Sequence, residues 1–505
     1  MILPEYKQLK NGSDIRGVAI EGVKGESVNL TNDIVINIAR AFIFWLSIKL
    51  NKPSNQLKIA IGNDSRLSAN SLKENLIFGI KEAGCEIFDC GLISTPAMFM
   101  TCVDTLFCDG SIQITASHLP FNRNGFKFFT KEGGLDSKDI EEILTNASQE
   151  KKVVSFVEGK IKQFEYIKIY SKLLCEKVIK ETNRVLPLSG LKIVVDAGNG
   201  AGGFFANLVL KPLGANIEGS QFLEPDGNFP NHIPNPENEQ AMKSISQCVI
   251  KNNADLGIIF DTDVDRAAIV DENGKEINKN KLIALISAII LEKNKGATIV
   301  TDSITSSGLN EFIEKNLGGK HHRFKRGYKN VINEAIRLNN IGVETPIAIE
   351  TSGHCAFFEN YFLDDGAYLI VKLLIALSML REKGKTLSSL IIDLIEPLEA
   401  KEFRIKILTN DFKQYGQKVL NDLLIYCKNK DFSIEPNNYE GVKVNFNKEN
   451  GDGWFLLRLS LHDPILPLNI ESDSMGGVLI IVNLLKNFLN QYEYLDCNEL
   501  TKYLL

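Results

Sequence analysis

Short apolar runs rich in β-branched residues recur along the chain, each closed by a polar or glycine-bearing turn: LKIAIGNDSR, LKIVVDAGNGAG, LGIIFDTDVDR and ATIVTDSITSS. A helical pattern follows each run, and this alternation predicts βα units in a mostly parallel sheet. In such sheets ligands meet the loops beyond the carboxyl ends of the strands, so the residues after each run are where chemistry is expected. Four edges of this kind predict several similar domains facing one cleft. Longer apolar segments begin at Ile34, Lys281 and Ala367, but Arg40, Lys49 and Lys372 interrupt or flank stretches too short to span a bilayer. They are expected to be buried helices.

The last hundred residues differ in texture. YEGVKVNF, GDGWFLLRLSL and LPLNIES predict strands joined by turns, and GGVLIIVNLLKNFLNQYEYL predicts a terminal helix. Together they imply a smaller α+β domain. Polar stretches near residues 150, 185, 295 and 400 are the candidate linkers.

Composition narrows the function classes. A chain of 505 residues with 44% apolar content can fill roughly three or four domains. The formal charge of -6 supplies no basic surplus for a nucleic-acid backbone. MILPEYKQLKNGSD lacks the features of a signal peptide, so a cytoplasmic location is expected. Nine scattered cysteines without a CxxC pair indicate neither a disulfide framework nor a thiolate zinc site. His321 and His322 sit among basic residues and are expected in a solvated loop.

Six stretches carry candidate chemistry. TASHLPFNRNGFKFF places Ser117 beside His118, with Lys127 downstream. A nucleophile pair, a helix cap and a phosphate-carrying hydroxyl are all open readings. FDTDVDRAA sets Asp261, Asp263 and Asp265 at alternate positions, which in an extended loop points three carboxylates one way and suits Mg²⁺ or Ca²⁺. A solvated acidic turn is the plain alternative; an EF-hand is another, since Glu272 is twelfth from Asp261, although Arg266 stands where that loop needs glycine. Arg266 suits a phosphate beside the metal. AIETSGHCAFFEN offers Glu350, Ser352 and His354 to sugar hydroxyls, or is a strand end with a tight turn at Gly353. RLSLHDP offers Arg458, Ser460 and His462 as an anion cradle, or is a wet edge strand. GSDIRG and GNDSRLS present Arg16 and Asp64, Arg66 and Ser68, either as charged turns or as parts of a site built for anions.

Taken in order, these stretches resemble the α-D-phosphohexomutase superfamily: phosphoglucomutases, phosphomannomutases and phosphoglucosamine mutases. TASHLP is similar to its phosphoserine loop, DTDVDR to its metal loop, ETSGH to its sugar-binding loop and RLSLHDP to its phosphate-binding loop. DGNFPNHIPNPE and LDDGAYL resemble further family segments.

The resemblance implies three related α/β domains with mixed sheets and a smaller α+β domain around a central cleft, with boundaries at 1–180, 181–292, 293–397 and 398–505. It implies phosphate transfer between C1 and C6 of a hexose phosphate, glucose phosphate favoured, through phosphorylated Ser117 and a bisphosphate intermediate. Mg²⁺ would be held by Asp261, Asp263, Asp265 and Ser117. His118, Lys127 and Arg16 would serve catalysis, with hexose 1,6-bisphosphate as activator or donor. Arg266, Glu350, Ser352, His354, Arg458, Ser460, His462 and Asn469 would contact substrate. No nucleic-acid or membrane partner is expected, and the state would be monomer or homodimer.

Departures from the family pattern are His462 and Asp463 at the end of the phosphate loop, Asn469 in place of a distal arginine, Ile349 before the sugar-loop glutamate, and no lysine in TDSITSS. A hexose 1,6-bisphosphate synthase is therefore an alternative, and a non-catalytic sugar-phosphate-binding regulator is another.

Overall fold

The computed structural model describes residues 2–460 and 463–504. Two compact units emerge, residues 1–282 with 352–390, and residues 283–351 with 391–505.

The first unit contains an eight-stranded sheet in which Lys58–Asn63, Glu86–Leu92, Gly110–Ile114 and Lys160–Gln163 run parallel. Arg123–Thr130 and Asp14–Val18 extend it antiparallel. The sheet is mixed, as the resemblance implies and as the βα rhythm alone does not. The predicted helix from Ile34 is observed as Asn32–Leu50. Val35, Ile38, Phe42 and Leu46 recur every three or four residues, so one face meets the sheet while Asn51 stops the helix in a left-handed conformation.

A second sheet of four strands follows in the same unit, with Ile193–Asp196 parallel to Leu256–Phe260. No helix follows LGIIFDTDVDR. Strand Ala267–Asp271 turns back antiparallel on Leu256–Phe260 instead: Ile269 and Val270 are β-branched, and the strand is buried throughout. After LKIVVDAGNGAG the chain makes only short 3₁₀ and π turns, at Ala201–Gly203 and Phe205–Leu210. The apolar segment from Ala367 forms helix Gly366–Arg381, packed on Tyr166–Thr182. Its buried Lys372 is neutralised by Glu359 at 2.8 Å. Among the described residues no helix is long and apolar enough to cross a membrane.

In the second unit, strand Thr298–Asp302 lies between parallel neighbours Lys320–Phe324 and Ile347–Ile349. His321 and His322 belong to Lys320–Phe324, which corrects the expectation of a solvated loop. His321 is tied to Thr301 Oγ1 at 2.8 Å and to Asn310 Oδ1 at 3.0 Å, and His322 to Glu334 at 2.9 Å. The C-terminal part is an antiparallel six-stranded sheet centred on Ile465–Ser472 and Glu399–Ile407. Helices Phe412–Asn429 and Gly477–Leu489 contribute to its core. The predicted terminal helix ends at Leu489, and strand Leu495–Asp496 and helix Asn498–Tyr503 follow.

Phe455 is fully buried in this core, so Phe455→Ala should destabilise the second unit by about 3–5 kcal/mol through cavity formation. Ile480→Ala, at an exposed position, should stay within about 0.5 kcal/mol in the same denaturant titration.

Candidate active site in the first unit

The site begins with a turn. After strand Leu256–Phe260 the loop does not stay extended: Val264 adopts φ 68°, a left-handed conformation costly for a β-branched residue. That turn, rather than the two-residue alternation of an extended strand, makes the carboxylates of Asp261, Asp263 and Asp265 converge. Their oxygens lie within 4.8 Å of one another, and all three residues are fully buried. Flanking strands, with Arg266 bridged to His354, exclude an EF-hand. Full burial excludes a solvated acidic turn.

Buried like charges need compensation. Lys127, on strand Arg123–Thr130, pairs closely with Asp265 and sits 3.5 Å from Asp263. Arg266 Nε lies 3.2 Å from Asp261, and Thr95 Oγ1 donates to Asp263 at 2.5 Å. Asp265 is consequently held far below the usual carboxylate range: burial raises its pKa, but Lys127, His354 and Arg266 outweigh it. Asp261 moves the other way, pushed well up by burial and by its two neighbouring carboxylates. Among the described residues, Oδ1 of Asp263 and Oδ1 of Asp265 are buried without a hydrogen-bond partner. Unsatisfied carboxylate oxygens beside a carboxyl pushed up by its neighbours fit a hard divalent cation.

Ser117 faces this cluster. Its φ is 49°, its N–H donates to Thr115 Oγ1, and its hydroxyl donates to Asp261 Oδ2 at 3.1 Å. Arg266 Nη2 donates to the same hydroxyl at 3.1 Å. His118 Nδ1 is 3.3 Å from the serine but accepts from Arg266 at 2.6 Å, so its lone pair is committed. Burial and the Arg266 charge lower its pKa to about 3, which removes positive charge as a role for His118 at neutral pH. A serine–histidine nucleophile pair is excluded on the same ground.

Arg66 corrects the reading of GNDSRLS as an anion site. Its buried guanidinium donates to the carbonyls of Ser117, Leu119, Pro120 and Arg123 at 2.5–2.9 Å, so it holds the serine loop from behind. Asp64 lies 3.4 Å from it, with a pKa raised to about 6 by burial. Arg16 lies on strand Asp14–Val18, gripping the Thr115 carbonyl and Asp14.

His354 Nδ1 lies 2.6 Å from Asp364, and burial is outweighed by Asp364 and Asp265, which hold the imidazole at about 9. It therefore adds a positive charge beside Asp265 and makes the Asp265, His354 and Asp364 grouping a poor cation site. Ser352 belongs to this unit and Glu350 to the second. Glu350 Oε1 accepts from Gly327 N at 2.6 Å. In the second unit Arg458 follows strand Gly453–Leu457; burial and Arg326 lower its pKa, and its Nε has no hydrogen-bond partner among the described residues. Ser460 Oγ accepts from Asp463 N at 3.2 Å. Asn469 sits inside strand Ile465–Ser472 and donates to Glu402 at 3.1 Å. His462 lies outside the described residues.

Several positioning residues were not singled out from sequence: Thr95, Asp364, and Asn235 and Glu237, which lie 3.2 Å and 3.5 Å from Arg266 Nη1. Asn235 and Glu237 fall within DGNFPNHIPNPE and Asp364 within LDDGAYL, so family similarity pointed to the segments but not to these roles.

The fold and this carboxylate–serine–arginine cluster define a multidomain α/β enzyme. Family models for phosphoglucomutase/phosphomannomutase α/β/α domains I, II and III match residues 7–154, 166–274 and 278–398. The chain is 30% identical to a phosphoglucomutase/phosphomannomutase of Thermococcus kodakarensis, covering 91% of this chain and 93% of that protein. It is 29% identical to a phosphomannomutase/phosphoglucomutase of Pseudomonas putida, covering 92% of each. A phosphoglucomutase/phosphomannomutase family protein of Burkholderia thailandensis superposes with a TM-score of 0.77 at 25% identity, covering 97% of this chain and 98% of that one. The chain belongs to the phosphoglucomutase/phosphomannomutase family of the α-D-phosphohexomutase superfamily.

A Cβ on Gly366 would lie 2.7 Å from the Arg266 carbonyl carbon and 2.9 Å from the Val264 oxygen. Backbone cannot yield as a side-chain tip can, so Gly366→Ala should displace the acidic turn. Calorimetric titration with Mg²⁺ should show affinity weakened roughly tenfold or more.

Proposed function

We propose that this protein moves phosphate between C1 and C6 of a hexose phosphate, glucose phosphate preferred, through a phosphoserine at Ser117 and a bisphosphate intermediate. The observation that carries the reading is the Ser117 hydroxyl, 3.1 Å from both Asp261 and Arg266 Nη2 at the edge of the acidic turn. Asp261, Asp263 and Asp265, with Ser117, would hold Mg²⁺. When bound, that ion supplies neutralisation of charge on a transferring phosphoryl group.

The chain's own residues supply the rest. Arg266 places a planar cation against the serine oxygen, where phosphate oxygens would sit. Lys127 and His354 hold Asp265 in its charged form. In the forward step the Ser117 oxygen–phosphorus bond breaks and a sugar oxygen–phosphorus bond forms. The proton of the sugar hydroxyl is taken up by the Ser117 oxygen released in the same step, because the His118 lone pair already accepts from Arg266. Glu350, Ser352 and His354 are assigned to sugar hydroxyls, and Arg458, Ser460 and His462 to the non-reacting phosphate. Arg16 is assigned to substrate, beside its hold on the serine loop. Hexose 1,6-bisphosphate would prime the serine.

Intact-mass analysis should find phosphate on Ser117 after incubation with glucose 1,6-bisphosphate, and Ser117→Ala should remove nearly all transfer. Asp263→Asn should do the same at little cost to folding. An active alanine variant without phosphate at this position would overturn the reading.

One observation favours a second outcome, release of the bisphosphate. Asn469, at the place where the family pattern has arginine, is neutral and donates to Glu402, whose other oxygen accepts from Arg404 at 3.3 Å. A charge-assisted contact is worth about 1.5–3 kcal/mol, or roughly ten- to a hundredfold in escape rate. Fully phosphorylated enzyme given one equivalent of glucose 1-phosphate should leak glucose 1,6-bisphosphate, and Asn469→Arg should suppress the leak. Isomerisation with no free bisphosphate in either protein would exclude release.

A further inference from the structure

The second unit contains a cavity of about 470 Å³ between edge strand Lys320–Phe324 and the segment from Glu435 to Lys443. None of the residues assigned above to transfer chemistry lines it. Lys443 is only 4% exposed there, with Nζ 4.1 Å above the Trp454 ring. Among the described residues its ammonium has neither a hydrogen bond nor an ion pair.

The carboxylates that face Lys443 are engaged elsewhere. Glu435 accepts from Asn445 at 3.0 Å, while Glu471 accepts from Trp454 Nε1 at 2.6 Å and from Ser307 N. Glu314, on the cavity wall, accepts from Asn310. Arg323 spends Nε on Thr305 Oγ1 at 3.0 Å and Nη2 on the Ser306 carbonyl at 2.8 Å, leaving Nη1 with no acceptor among the described residues. His321 is held neutral by burial and by Arg323, so it forms a polar wall without adding positive charge. The buried ammonium and guanidinium have unused donors and, among the described residues, no carboxylate within ion-pair distance; burial and Arg323 push Lys443 down to about 7, and an incoming anion would favour its charged form. Phe324 and Tyr439, with ring centroids 4.9 Å apart, add an apolar platform beside them.

We propose that this cavity binds a small phosphate monoester, the dianion taken by Lys443 and Arg323 and a sugar or polyol body lying against Tyr439 and Phe324. Two cations match a dianion, and the remaining guanidinium N–H groups can reach tetrahedral oxygens.

Trp454 makes the site directly observable, because Trp45 is the other of the two tryptophans. In a Trp45→Phe background, titration with inorganic phosphate and with glucose 6-phosphate should change Trp454 emission saturably, and uncharged glucose should not. Lys443→Met should raise the apparent Kd by about tenfold or more, and Arg323→Gln should act likewise if the methionine variant fails to fold. Arg458→Ala, altered in the assigned phosphate loop, should keep the signal. A flat emission signal, an equal response to glucose, unchanged affinity in a folded Lys443→Met protein, or loss of the signal in Arg458→Ala alone would each overturn the proposal.

Discussion

Three carboxylates forced together in a buried turn set the terms for the first unit. Asp261, Asp263 and Asp265 could not remain buried within 4.8 Å of one another without cations close by. Lys127 comes from the eight-stranded sheet, Arg266 from the strand following the turn, and His354 from beyond the following domain segment. The electrostatic demand of one hairpin thus ties distant parts of the chain together. It also explains why Arg266 can face Ser117: the guanidinium is already fixed by Asp261, with Asn235 and Glu237 on its far side.

Support behind the serine matters as much as charge in front of it. Ser117 occupies a left-handed conformation in the loop that leads into strand Arg123–Thr130. Arg66 caps four carbonyls of this stretch from the protein side, with Asp64 beside its guanidinium. An arginine in a glycine-containing loop can bind an anion or can bind backbone, and burial decides which. Here the guanidinium is enclosed, and carbonyl oxygens take its hydrogens.

The second unit shows the same choice resolved differently at two positions. Asn469 lies in a strand and gives its amide to Glu402, so it serves the sheet. Lys443, also in a strand, is buried over Trp454 and has no ion pair among the described residues. Neighbours recruited from other strands, rather than the residue type, separate a structural role from a binding one.

The sequence by itself determined most of the strands, the buried helices and the order of the chemistry-bearing loops, but not the strand Ala267–Asp271 that follows the acidic turn where the βα rhythm predicts a helix. Those follow from local periodicity, turn residues and composition, which act over a few residues. Family similarity supplied the mixed sheets and the grouping of Ser117 with the acidic turn. The chain could not disclose that FDTDVDR turns at Val264 instead of extending, that His321 and His322 lie in a strand, or that Arg66 is scaffold. It gave no sign that His118 is neutral while His354 is charged. Each of these depends on which partners lie within about 4 Å and how much water is excluded, and partners such as Ser117 and Arg266 are far apart in sequence. Only the tertiary structure decides those distances, because desolvation and charge pairing act through space.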